Sequence, residues 1–173
     1  IICRKNDVKW LLKKEERFLT KIAEHLIGDT KNDKFIVHWN IDMIVFEHKF
    51  IGINFKSAIK KINATLVLNS TLFILTTELY GKSNLGEGAL YLVPLDVKQM
   101  IIINPNLFNF DSFLEKYENF LKRPIYSIFT ELGFDPNKPI REQEPNPLPD
   151  RKALDDIIFD ALELTEEERK EVY

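Results

Sequence analysis

The stretch FIVHWNIDMIVFEHKFIGINF, Phe35–Phe55, decides the fold. Phe35–Trp39, Met43–Phe46 and Phe50–Phe55 are short runs rich in Ile, Val and Phe. Asn40-Ile41-Asp42 and Glu47-His48-Lys49 separate them. Branched and aromatic side chains fit a pleated, half-buried surface, and polar clusters bound such runs, so the three read as strands of a meander or hairpin.

Helical spacing flanks this sheet on both sides. From Lys9 to Ile27, Trp10, Leu11, Phe18, Leu19, Ile22, Ala23 and Leu26 recur at intervals of three and four, with Gly28 as a stop. Lys56 to Leu79 is expected to be mainly helical, closed by Gly81. Leu85–Gly88 reads as a glycine-containing loop, and Ala89–Val93 as a strand ended by Pro94. A turn of helix and then a buried strand, Met100–Ile103, are expected before Asn104-Pro105. Asp111 is placed as the N-cap of a helix to Leu121, and a second helix runs from about Ile125 to Leu132, closed by Gly133.

Residues 135–149 hold five prolines and read as a linker. Beyond them, Leu154, Ile157, Ile158 and Ala161 share one helix face, and Thr165 with Glu168 matches a capping box that opens a last helix. The expectation is an α+β fold: a small, mainly antiparallel sheet from 35–55 and 89–103, packed against helices 9–27, 58–80 and 111–132, with a C-terminal helical tail. The implied division is 1–134 as the α+β domain, 135–149 as linker and 150–173 as a helical segment that docks elsewhere or projects.

Composition narrows the function. The chain is 45% hydrophobic and 29% charged, which suits a globular core. The one cysteine, Cys3, cannot form an internal disulfide, and no signal-peptide pattern opens the chain. Both point to a reducing, cytoplasmic setting. The longest apolar run, Ala64–Leu75, is interrupted by Thr65, Asn69, Ser70 and Thr71, so no membrane span is expected. The missing initiator methionine reads as a fragment. The net charge of −3 is uneven: residues 1–61 carry a surplus of five positive charges, and residues 141–173 a surplus of six negative ones. A basic N-terminal third suits a polyanion, and a solvated lysine-rich face accounts for it equally well.

No phosphate-binding Walker loop, dinucleotide fingerprint or serine nucleophile elbow occurs. His25, His38 and His48 lack metal-ligand spacing and read as structural or surface residues. Asp155-Asp156 and Glu166-Glu167-Glu168 sit in helix first turns or on a solvated face. No catalytic residue and no metal ligand is assigned.

Two stretches carry a resemblance. LNSTLF (Leu68–Phe73) and ELYGKSNLGEGAL (Glu78–Leu90) are followed by PLDV (Pro94–Val97) and IIINP (Ile101–Pro105). LDDIIFDAL (Leu154–Leu162) is followed by LTEEERKEVY (Leu164–Tyr173). In this order they resemble the C-terminal target-recognition region of N6-adenine-specific DNA methyltransferases, especially the Type IIG restriction–modification enzymes of the Eco57I-like and TaqI-like kind. The likeness covers much of residues 66–173 and is weak over residues 1–60. The family's Asn/Asp-Pro-Pro-Tyr/Phe motif and its S-adenosylmethionine loop are not in this chain; Asn104-Pro105-Asn106-Leu107 lacks the second proline and the aromatic. The resemblance therefore implies no cofactor in this chain, S-adenosylmethionine in the parent enzyme, and two partners: double-stranded DNA and a methyltransferase catalytic domain.

Flipping an adenine out of a duplex requires the flanking sequence to be gripped and read. On the resemblance, the Gly81–Gly88 loop is the candidate DNA contact. Lys82 suits a phosphate, Ser83 and Asn84 suit base or backbone hydrogen bonds, and Gly86 lets the main chain approach closely. The same Asn84 and Gly86 also fit a tight helix-to-strand loop with no DNA role. Lys56, Lys60 and Lys61 form a second candidate phosphate surface, or an ordinary solvated edge. The alternative function is a protein-interaction module of the same kind of enzyme, without direct DNA contact.

Overall fold

The computed structural model describes residues 22–55, 58–83 and 89–173. Within them the chain is α+β, with two three-stranded antiparallel sheets and seven α-helices. The elements are β1 (His25–Gly28), β2 (Thr30–Lys31), β3 (Val37–Trp39), β4 (Phe50–Ile53), α1 (Lys61–Val67), α2 (Thr71–Tyr80), β5 (Lys82–Ser83), β6 (Leu90–Tyr91), α3 (Pro94–Gln99), α4 (Asp111–Lys116), α5 (Ile128–Glu131), α6 (Pro149–Ala161) and α7 (Glu166–Val172).

The first sheet has the order β3-β1-β4, with Ile27 opposite Val37 on one side and Ile51 on the other. The central strand, β1, corrects the end of the helix expected over Lys9–Ile27; residues 9–21 of that helix lie outside the described residues. A central strand is covered on both faces, so His25, Leu26 and Ile27 are all buried and show no alternation. A short apolar run of this kind fits either a helix or a buried strand.

The second sheet, β2-β6-β5, is built from two-residue strands. The expected strand at 89–93 thus forms as β6, but in a different sheet from residues 35–55.

Met43–Phe46 is not a strand. The Asn40 side chain accepts from Ile44 N (2.9 Å) and donates to Ile44 O (2.9 Å) and Ala23 O (2.9 Å), folding the segment into an irregular excursion, and Met43 takes a positive φ of 49°. Met100–Ile103 is likewise not a strand: among the described residues no strand pairs with it, and Ile101 is exposed.

The single helix expected at Lys56–Leu79 is two helices bent by 64°. Asn69 makes the break. Its side chain accepts from Val37 N (2.9 Å) and donates to Val37 O (2.9 Å), so it caps β3 in the manner of a further strand. Ser70 then caps α2 by accepting from Phe73 N (3.3 Å). The α4 and α5 helices are shorter than expected: Phe110, not Asp111, is the N-cap of α4, and α5 starts after the Ser127 cap. Gly133, with φ 77°, ends α5 as expected, and its open face lies against the backbone of Asn146, where a side chain would clash.

One apolar cluster joins the first sheet to α2, α3 and Leu92 through Ile27, Val37, Leu68 and Phe73. A second joins Leu66 and Val67 of α1 to Phe108, Phe110, Phe113, Leu154 and Ile158. The helical pair expected at 150–173 therefore forms, but α6 is not a projecting tail. Leu154, Ile158 and Phe159 are fully buried, and α2 packs against both α6 and α7. Residues 135–149 are tied back to this core, with Asn146 N donating to Leu132 O (2.9 Å) and Leu148 N to Glu131 O (2.9 Å). The Thr165 capping box closes as expected: Glu168 N donates to Thr165 Oγ1 (3.3 Å) and Thr165 N to Glu168 Oε2 (2.8 Å).

Candidate nucleic-acid interface

The expected contact loop begins where α2 ends. Gly81 N donates to Thr77 O (2.9 Å), closing the helix, and the chain turns straight into β5. Gly81 is required here by space: a Cβ would run into the side chain of Leu90 on β6. This close approach lets Lys82 pair with Tyr91 and Ser83 with Leu90. β5 is an edge strand, and the side chains of both its residues are exposed.

Lys82 is already engaged. Its Nζ lies 3.2 Å from Asp96 Oδ1. Asp96 also accepts from Val93 N through Oδ2 (3.0 Å), within the first turn of α3. That backbone hydrogen bond, with Lys82 adding to it, holds the Asp96 carboxyl below its usual value. The lysine side chain remains 63% exposed, so a phosphate can reach it and would compete with Asp96 for it. Asn84 and Gly86 lie outside the described residues.

The second basic group is placed apart. Lys60 and Lys61 are exposed at the start of α1, and Lys61 pairs with Glu24 (3.1 Å). Among the described residues no hydrogen bond or ion pair connects them to β5, and Lys56 lies outside those residues.

The resembling stretches themselves meet in space. Asp155 of LDDIIFDAL accepts from Thr71 N (2.8 Å) and Thr71 Oγ1 (2.6 Å), and Thr71 belongs to LNSTLF. Arg151, one turn earlier on α6, donates to the carbonyl of Asn69. Asp155 was expected on a solvated face and is instead fully buried. Burial pushes its carboxyl up to about 6, against the charge of Arg151 and the two Thr71 bonds.

Sequence reading missed a charged joint beneath this contact. Arg123 grips Glu131 with both terminal nitrogens (2.6 Å each) and Asp150 with Nε (2.6 Å); Arg151 Nε also reaches Glu131 (3.2 Å). The Phe120 ring lies near both guanidiniums, at 5.1 Å from Arg123 and 5.5 Å from Arg151. Burial drives the Glu131 carboxyl up, but the hydrogen bonds and charges of the two arginines outweigh it and hold it below its usual value. The partners come from α5, α6 and the turn before Pro124, so no local spacing announces them.

Among the described residues no group of three or more His, Cys, Asp or Glu could hold a metal ion, and no single helix is long and apolar enough to cross a membrane. Comparison with protein-family models, curated proteins and solved structures finds no match.

Proposed function

We propose that this chain is the target-recognition and C-terminal portion of an N6-adenine DNA methyltransferase of the modification or restriction–modification kind. It binds duplex DNA for a catalytic domain that carries S-adenosylmethionine, in a cytoplasmic enzyme. The observation that carries this reading is the Thr71–Asp155 contact. Thr71 and Asp155 are 84 positions apart, yet buried hydrogen bonds between them join the two stretches on which the resemblance rests. The exposed Lys82 and Ser83, at the base of the glycine-containing loop, supply the DNA-facing chemistry.

A second reading, a protein-interaction module of the same kind of enzyme, is favoured by the ion pairs Lys82–Asp96 and Lys61–Glu24, which offset two of the expected phosphate contacts.

The test is binding of the chain to labelled duplex DNA across a salt series. A recognition module loses affinity steeply as salt rises, and Lys82→Ala with Asn84→Ala weakens binding and flattens the slope by about one phosphate contact. Binding that is absent at low salt, or that ignores the substitutions, rejects the assignment of DNA contact to this loop.

A further inference from the structure

We propose that the cleft between β3 and residues 120–125 binds a planar aromatic anion, a nucleotide held by its base and its phosphate. The cleft has a volume of about 410 Å³, the size of a small-ligand site. It is separate from the loop at Lys82, and the proposal does not need that loop to touch DNA.

The charges on its walls sum to positive: Lys122, Arg123 and Arg151 stand against Glu131 alone. His38 also lines it, and burial, with the charge of Lys31 adding to it, lowers its pKa, so the ring is neutral at pH 7. Glu131 is engaged by Arg123 Nη1 and Nη2 and by Arg151 Nε. Arg123 is engaged as well, with Nε on Asp150 (2.6 Å) and Nη1 also on the Pro124 carbonyl (3.2 Å). Two cations keep donors to offer. Arg151, only 5% exposed, places Nε on Glu131 and Nη1 on the Asn69 carbonyl, while Nη2 has no acceptor among the described residues. A buried guanidinium N–H without an acceptor is costly, so this one calls for a partner. Lys122 is exposed and has no carboxylate partner among the described residues. An arginine donor and a lysine beside one cleft suit a phosphate. The groove on the other face of β3 has the opposite character: Asp42 and Glu47 line it, with no lysine or arginine. The anionic end therefore belongs on the side of residues 122 and 151.

The remaining lining selects a flat ring. Trp39 is half-buried and pairs with no other ring among the described residues. Beside the same cleft Ile41 is 69% exposed and Leu121 is 43% exposed. A base stacks on such surfaces whatever its identity, because every base has a π-face. The two neutral polar side chains that could read a base edge are engaged: Asn69 holds the Val37 backbone, and Thr65 bonds His25 and the Lys61 carbonyl. The cleft therefore selects for flatness and negative charge and discriminates little among bases.

The experiment titrates the full chain with adenosine 5′-monophosphate, and separately with adenosine and with inorganic phosphate. The chain has two tryptophans, so Trp10→Phe leaves Trp39 as the reporter. The monophosphate is expected to quench Trp39 saturably and to bind about tenfold or more tighter than either of its halves. Uridine 5′-monophosphate should bind within a few-fold of it. Lys122→Glu, at an exposed side chain, should weaken the monophosphate by about fivefold or more and leave adenosine unchanged. Arg151→Lys keeps the charge beside Glu131 but removes the unused donor, and should act in the same direction, with circular dichroism reporting an intact fold. Absence of quenching at millimolar monophosphate overturns the proposal. So does adenosine binding as tightly as the monophosphate, or Lys122→Glu changing nothing. A single-stranded oligonucleotide distinguishes the source: tighter binding than the monophosphate assigns the cleft to a nucleotide within a strand, and equal or weaker binding to a free one. Lys82→Ala leaves all of these titrations unchanged, so this proposal and the DNA-contact reading fail separately.

Discussion

Asp155 shows how one side chain joins distant sequence at a cost. It is fully buried, accepts two hydrogen bonds at the N-terminus of α2, and ionises only near pH 6. A carboxyl whose folded pKa lies above its unfolded value contributes most below the unfolded pKa, and that contribution is lost as pH rises through the folded one. The window here runs from about 4 to about 6. Asp155→Asn removes the titration, so its stability relative to the parent chain should improve between pH 5 and pH 7.5, by about 2 kcal/mol at most. Thermal melts at the two pH values check this; a difference that stays flat or reverses rejects the burial account. None of this was legible in the sequence, where Asp155-Asp156 looks like a solvated acidic pair. Burial of one of two adjacent carboxylates is decided by the partner helix. Gly81, by contrast, was legible as a stop, though its second role, the gap for Leu90, depends on a strand pairing that the sequence does not announce.

Among the elements, those with a long local signal were readable and those decided by partners were not. The α6 helix has apolar residues at helical spacing, and α7 has a capping box; both form where expected. The central strand β1 lost its period to burial on both faces. The second sheet consists of two-residue strands, below the length at which alternation can be seen. Asn69 splits one expected helix by choosing the β3 backbone over solvent. The joint of α5 with α6 rests on Glu131, the carboxylate shared by Arg123 and Arg151. Glu131→Gln leaves the Arg123 guanidinium with Asp150 as its remaining carboxylate and the largely buried Arg151 guanidinium with the Asn69 carbonyl, and should cost about 3 kcal/mol. Hydrogen exchange in residues 128–151 should rise before the rest of the core opens. If the melting temperature and local exchange are both unchanged, the joint is not what holds α5.

For the molecule as a whole, the tail carries the second core. Leu154 and Ile158 fill the space between α1 and the phenylalanines of 108–113. Truncation after residue 148 removes them along with Phe159 and Asp155, several buried side chains at about 2–5 kcal/mol each, which exceeds the margin of an ordinary domain. The shortened chain should lose its cooperative melt and its near-ultraviolet circular dichroism. A truncated chain that melts as sharply as the full one would show that the core closes without α6. The α+β class was legible from the alternation of short β-rich runs with helical spacing, whereas the candidate DNA contact was legible only as a motif and rests on Lys82 and Ser83 among the described residues.

The Thr71–Asp155 bond also sets a timetable for synthesis. Its two ends are 84 residues apart. At about 5–20 residues per second, a ribosome needs roughly 4–17 s to pass from one to the other. During that interval the buried side of α1 and α2 has been made but lacks its cover, and the nascent chain exposes it to chaperones or to its neighbours on the same polysome. Slower translation lengthens this interval and faster translation shortens it. The yield of soluble protein should therefore respond to codon choice between residues 71 and 155 more than to codon choice upstream.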